Sequence, residues 1–462
     1  MAYIVFFGMF WSIYVLRTKG MQATFLRVWI PLFLSMPTSF WVNIPSLPDP
    51  NFMQAAILPM LALLVLAIGP SLTQLGRMEI LIITYMLIRV IADYLSRGYS
   101  DAQNYAFYVL SALIGPFLLG RYVIDSRRMD IATARAIVGM FLLFFPMFLW
   151  ELKAWVSPIY KVLSPFFPNA FSGLSIRWGI ARTAGTFEHP ILACIMVTAA
   201  YRLHRWLTWN GQWSGKQQGI FGWWQSRTQK LRIPLETQIS IALIFMALMT
   251  ISRGPWIGGF AAAAVVAAGN LKNRKKGLLM AVAILGVGAV TAKFALDAYT
   301  TPAVGEALSG EAQTMVYRKE MIERYKEYLF QKPFQGWGLT TVPKIAGMES
   351  VDNAFFLMAL QHGLFAPIVF ALIFTYAILS QLKFALKAPV GHSPIGFTFA
   401  GIYLMCFISF MTVYMGAQTE PLLFLMLGWG ESIKRRPHIE GKHNAGAPAQ
   451  NLNASPFKRI LV

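Results

Sequence analysis

The chain has 462 residues, 56% of them hydrophobic and only 13% charged, with a mean hydropathy of +0.53. A soluble domain of this length needs a far more polar surface, so repeated long apolar runs between short charged loops indicate an all-α polytopic membrane protein. The formal charge of +20 does not imply nucleic acid as a partner, because Lys and Arg cluster in those short loops, as positive-inside sorting and anionic lipid require.

In chain order, membrane spans are expected at about 3–16, 22–37, 53–69, 78–96, 103–124, 131–156, 187–207, 235–252, 254–270, 277–297, 353–382, 396–414 and 417–433. That is about thirteen spans, or twelve if a short one does not cross. Met1 to Leu16 lacks a basic leading segment and a small-residue cleavage site, and is expected as a retained first span. The basic groups Arg17/Lys19, Arg121/Arg127/Arg128, Arg202 to Arg232, Lys272/Arg274/Lys275/Lys276, Lys383/Lys387 and Lys434/Arg435/Arg436 fall on alternate sides of successive spans. All can therefore be cytoplasmic together, which puts the C-terminus inside and the loop 38–52, free of Lys and Arg, outside. Cys194 and Cys406 both lie in apolar runs and suggest neither a disulfide framework nor a metal knuckle.

Two external loops are long, about 157–186 and 298–352. Within the second, Gln313 to Phe330 reads as an amphipathic helix with Arg318, Ile322, Tyr325 and Leu329 on one face. Lys319–Glu323 and Glu320–Arg324 are spaced as ion pairs, and Pro333 with Gly336-Trp337-Gly338 ends the helix. The tail from 439 has no periodicity and is expected to be disordered. The expected organisation is N-terminal spans 1–156, a catalytic region 157–382, C-terminal spans 383–438 and the tail 439–462.

Three polar passages interrupt this pattern on the external side. The first is Arg182-Thr183-Ala184-Gly185-Thr186-Phe187-Glu188-His189-Pro190, preceded by Arg177. The second is the break Ser252-Arg253-Gly254, and the third comprises Arg318, Gly336-Trp337-Gly338 and Asp352-Asn353, with Gly363 downstream. Cations at the outer ends of membrane helices are costly and call for a polyanionic partner or a mechanistic role. Asp352 opens a helix and reads either as an N-cap or as a base; His189 reads as a base or as a backbone-bonded structural histidine.

In order and spacing these passages resemble the O-antigen ligase and polymerase family, the Wzy/WaaL type of bacterial membrane glycosyltransferase. The resemblance covers roughly residues 177–382, through G-T-F-x-H-P, S-R-G and an Arg preceding P-x-x-G-x-G. It implies a GT-C-like bundle whose helical periplasmic loop covers an outward-facing cavity. It also implies glycan transfer from an undecaprenyl-pyrophosphate-linked donor to a saccharide acceptor at the periplasmic face of the inner membrane. The lipid bilayer and polysaccharide export or flippase proteins are the remaining implied partners. Arg253, Arg318, Arg182 and Arg177 would bind pyrophosphate; Asp352, Glu188 and His189 are the candidate catalytic groups, supported by Asn353, Ser252 and Gly254. No cofactor or metal is expected, since arginine stays protonated and its fork holds two phosphate oxygens.

The ligases carry a His eleven residues before the glycine that corresponds to Gly363; here that position is Asp352. This favours a polymerase joining lipid-linked repeats into exopolysaccharide, capsule or O-antigen over a ligase moving finished glycan to lipid A-core or protein. A flippase or transporter, the alternative from another class, would place its functional ionisable groups mid-span and often show paired repeats; here the candidate residues lie at the external ends of spans and no internal repeat is visible.

Overall fold

The computed structural model describes residues 2–69, 75–124, 127–167, 170, 175–300, 310–348, 350–388 and 394–435. The tail expected to be disordered lies outside them. The chain begins with α1 (Phe7–Thr24), α2 (Ile30–Ser35), α3 (Phe52–Ile68), α4 (Arg77–Arg97), α5 (Tyr99–Tyr108) and α6 (Gly115–Leu118). α5 and α6 belong to one long helix, Tyr99–Val123, with π-helical stretches at Val109–Ile114 and Leu119–Val123. After α7 (Arg127–Ala154) and the short α8 (Pro158–Leu163) comes a hairpin of β1 (Ile176–Arg177) and β2 (Ile180–Ala181). The remainder is α9 (Pro190–Trp209), α10 (Gly219–Thr228), α11 (Leu235–Met249), α12 (Arg253–Asn270), α13 (Arg274–Thr300) and α14 (Gly310–Gln331). It closes with α15 (Ala354–His362), α16 (Phe365–Leu386), α17 (Ile395–Phe410) and α18 (Thr419–Lys434). The protein is an all-α polytopic membrane protein.

Among the described residues four helices are long and uniformly apolar enough to cross a bilayer: Tyr99–Val123, Arg128–Ala154, Arg274–Ala295 and Phe365–Leu386. The segments Gly219–Leu231 and Leu235–Met249, bent by 99°, make a fifth if counted as one broken span. This is fewer than the hydropathy runs promise, for identifiable reasons. α1 is broken at Gly20, whose φ of 80° and ψ of 178° are not helical. Phe52–Ala67 and Ile395–Phe410 are apolar but short. α4 carries Arg77, Glu79, Arg89, Asp93 and Arg97 along its length.

Glycines set the closest helix contacts. A Cβ on Gly428 would stand 1.9 Å from the Phe117 carbonyl oxygen, and one on Gly120 2.3 Å from that of Leu425. α12 and α17 meet in the same way, at Gly258 against Met405 and Gly401 against Ala262. In lipid such small-residue crossings let backbones approach where no hydrophobic drive exists between helices.

α4 and α18 run antiparallel and mark the two ends of the bundle. At one end Arg121 pairs with Glu79 and Lys434 bonds Glu431 at 2.5 Å. At the other, Arg89 pairs with Glu420 at 2.9 Å. The loop after α14 joins this second end, where the Leu339 N–H donates to Asp93 Oδ1 at 2.9 Å. The basic cluster and the loop thus meet α4 at Glu79 and Asp93, 14 residues or about 21 Å apart along the helix.

α14 is amphipathic as expected, but its buried stripe is Met321, Tyr325 and Leu329, while Ile322 faces outward at 39% exposure. Glu320 and Arg324 pair at 3.4 Å. The Gly336-Trp337-Gly338 turn then docks on the end of α15, with N–H groups of Trp337 and Gly338 donating to Leu360 and Gln361. Gly336, Gly338 and Gly363 all have positive φ, and a Cβ on Gly363 would meet the Phe334 carbonyl oxygen at 2.0 Å.

Candidate active site

The three polar passages, far apart in sequence, meet at this second end of the bundle. The hairpin β1–β2 turns through Trp178 and Gly179, with φ of 55° and 73°, the positive pair that a tight two-residue hairpin turn uses. It brings Arg177 and Arg182 against the break between α11 and α12. Arg182 is a buried clamp: its Nε donates to the Thr250 carbonyl at 3.0 Å, Nη1 to Ser175 Oγ at 3.0 Å and Nη2 to Ser252 Oγ at 2.9 Å. Arg177 Nη1 donates to the Ile251 carbonyl at 3.1 Å. Ile251 itself has φ of 46°, a strained conformation for a β-branched residue that turns the chain so that Arg253 opens α12. The Arg253 guanidinium lies 5.0 Å from the centre of the Trp178 ring.

A cavity of about 350 Å³ lies among these groups, lined by Arg177, Arg182, Arg253 and Arg318 together with Trp178, Ser252, Gly254, Met315 and Thr412. All four expected arginines therefore face one space. Gly254 permits this approach, since a Cβ there would stand 2.5 Å from Thr412 Oγ1. The crowded cations are mutually unfavourable: burial first, and then neighbouring Arg177, push Arg182 down to about 10. An anion in the cavity would relieve that repulsion.

None of the three candidate catalytic groups, Asp352, His189 and Glu188, lines this cavity itself. Arg318 Nη2 is 3.8 Å from Asp352 Oδ2, and Ser350 Oγ donates to Asp352 Oδ1 at 2.7 Å. The N-cap of α15 is Asn353, whose side chain accepts from the Phe356 N–H at 3.0 Å, so Asp352 is left to face Arg318. His189 caps α9 through Nδ1, which accepts from the Ile191 N–H at 3.1 Å. Burial first, and then Arg182, push its pKa down to about 4, with Asp352 opposing. Its imidazole is therefore neutral at neutral pH, with the proton on Nε2. Glu188 does not line the arginine cavity; it accepts from the Thr38 hydroxyl, and its backbone N–H donates to Gln418 Oε1 at 3.2 Å.

One group was missed by sequence reasoning. Glu151, near the end of α7, accepts from the Ala184 N–H at 3.1 Å and the Gly185 N–H at 2.6 Å, holding the G-T-F turn by its backbone. The available signal was a carboxylate in an apolar run, a group that membrane segments retain only with a partner. Gly185 has φ of 64°, and a Cβ on it would meet the Phe148 ring at 2.3 Å.

Fold and site together define a helical membrane protein with a cationic cavity at the end of the bundle remote from its basic cluster. Residues 238–371 match the family model described as O-Antigen ligase. The match supports an O-antigen ligase/polymerase family assignment and an activity of that general type. Arg253, Arg318, Asp352 and Asn353 fall within the matched residues; Arg177, Arg182, Glu188 and His189 precede them. No curated protein matches the chain.

Proposed function

We propose that the protein polymerises glycan repeat units carried on undecaprenyl pyrophosphate, at the periplasmic face of the bacterial inner membrane. The carrying observation is the single cavity lined by Arg177, Arg182, Arg253 and Arg318, with Asp352 3.8 Å from Arg318. The placement of that cavity opposite the basic cluster of Arg121 and Lys434 supports the periplasmic orientation.

In this reading Arg253 and Arg318 hold the diphosphate, while Arg177 and Arg182 shape the space and add field. An acceptor sugar hydroxyl gives its proton to Asp352 as its oxygen bonds to the donor's anomeric carbon. The bond from that carbon to the phosphate oxygen breaks, and its electron pair leaves with undecaprenyl pyrophosphate. Negative charge grows on the leaving oxygen in the transition state, where fixed guanidinium groups stabilise it more than in the ground state. His189 and Glu188 act as positioning groups, since the Nδ1 of the first is committed to a cap and the second bonds Thr38. No metal has a part in this account.

A ligase that moves finished glycan to lipid A-core or protein is the second reading, favoured by the description of the matched family. Reconstitution in proteoliposomes with undecaprenyl-linked repeat units separates the two. Chains that lengthen into a ladder support the polymerase; glycan that moves only to an added lipid A-core or protein acceptor overturns it in favour of the ligase.

A further inference from the structure

A second cavity, of about 510 Å³, opens beside the first between α4, α5, α15 and the turn before α18. Its lining includes Asp93, Asn104, Tyr105, Tyr108, Gln361 and Glu420. The two cations that reach it are already paired, Arg89 with Glu420 at 2.9 Å and Arg97 with Asp101. Against those two guanidinium groups stand three carboxylates, Asp93, Asp101 and Glu420. A phosphate would be repelled here, unlike in the arginine cavity. Amide and carboxylate oxygens alternating with tyrosine rings suit a neutral polyhydroxyl ligand, whose hydroxyls they bond and whose C–H faces they cover.

The two cavities share a wall. It is built from Asp352-Asn353-Ala354 and Thr412-Val413-Tyr414, joined by the Ala354 N–H donating to the Val413 carbonyl at 3.0 Å. Thr412 lines the arginine cavity, whereas Ala354 and Tyr414 line the second. Asp352 begins this wall and faces Arg318. We propose that the second cavity is the saccharide acceptor subsite, binding the acceptor's sugars through Asp93, Asn104 and Gln361 so that a hydroxyl is presented across the wall beside Asp352. The proposal rests on the donor reading above and extends it to a separate set of residues on α4, α5 and α15.

The test is calorimetric titration of the full chain in nanodiscs with two probes. One is undecaprenyl pyrophosphate. The other is oligosaccharide repeat units freed by mild acid from the lipid-linked pool of cells that carry the protein. Two variants are compared with wild type. Asp93→Asn keeps an oxygen to accept from the Leu339 N–H while removing the charge. Asn104→Trp fills the cavity from an exposed position on α5. Both should weaken oligosaccharide binding by about tenfold or more and leave undecaprenyl pyrophosphate binding within about twofold of wild type. Oligosaccharide binding unchanged in both variants, or absent from the wild type at millimolar concentration, overturns the subsite alone. Oligosaccharide binding that depends on Asp93 in a chain that does not bind undecaprenyl pyrophosphate supports the sugar site and sinks the pyrophosphate reading instead.

Discussion

The Arg318 guanidinium lies 3.8 Å from the Asp352 carboxylate and also lines the arginine cavity, while Ala354, two residues beyond Asp352, lines the neighbouring one. One side chain of α14 thus ties the candidate base to the candidate anion site. Because the cap of α15 is supplied by Asn353, the Asp352 carboxylate has no fixed duty in holding that helix.

That division of labour makes the two neighbours separable. Asp352→Asn should lower turnover by about 10²–10⁴-fold, the range expected for a lost general base, with little change in melting temperature. Asn353→Ala should do the reverse, costing about 1 kcal/mol of stability with a smaller kinetic effect. Paired thermal melts and initial rates check both.

The arginines should also divide. Arg253→Ala should lower turnover by about 10²–10³-fold while the protein accumulates normally. Arg182→Ala should reduce folded yield, because its buried guanidinium makes three hydrogen bonds, to Thr250, Ser175 and Ser252. Size-exclusion profiles of the purified variants, beside their rates, distinguish a lost ligand contact from a lost clamp.

The depressed pKa of His189, about 4 against an ordinary 6.5, carries a pH signature. The folded state binds the proton less well than the unfolded state, so the associated stability is present above pH 6.5. It is lost as pH falls from there through about 4. His189→Asn retains an N-cap acceptor without titrating. The wild-type melting temperature should therefore fall relative to that of His189→Asn as pH drops across this window, and parallel curves would count against the assignment.

Gly363→Ala should be more damaging than Gly185→Ala. Both positions have positive φ, but the first added methyl meets the Phe334 backbone carbonyl at 2.0 Å, whereas the second meets a side chain, the Phe148 ring, at 2.3 Å. Protease resistance in membranes should fall in that order.

Much of this arrangement was legible because membrane chemistry writes itself into sequence. Arg177, Arg182, Arg253 and Arg318 stood out as cations at the poorly tolerated end of apolar runs, and the structure brings all four to one cavity. Helices were legible, but continuous spans less so. Gly20 and the buried charges of α4 interrupt runs that look uniform to a hydropathy window. Individual duties were not legible, because they depend on tertiary contacts. Asn353 rather than Asp352 takes the cap, and Ile322 turns outward where periodicity put it on the same face as Tyr325. Glu151 binds a turn that begins 33 residues later, and Asp93 bonds a loop 246 residues away. No local pattern encodes such partners.

The most direct measurement is an electron cryomicroscopy structure of the protein with undecaprenyl pyrophosphate bound. The account predicts diphosphate density within hydrogen-bond reach of Arg253 and Arg318, inside the cavity that they share with Arg177 and Arg182. Diphosphate bound elsewhere, or an empty cavity at saturating ligand, would contradict it.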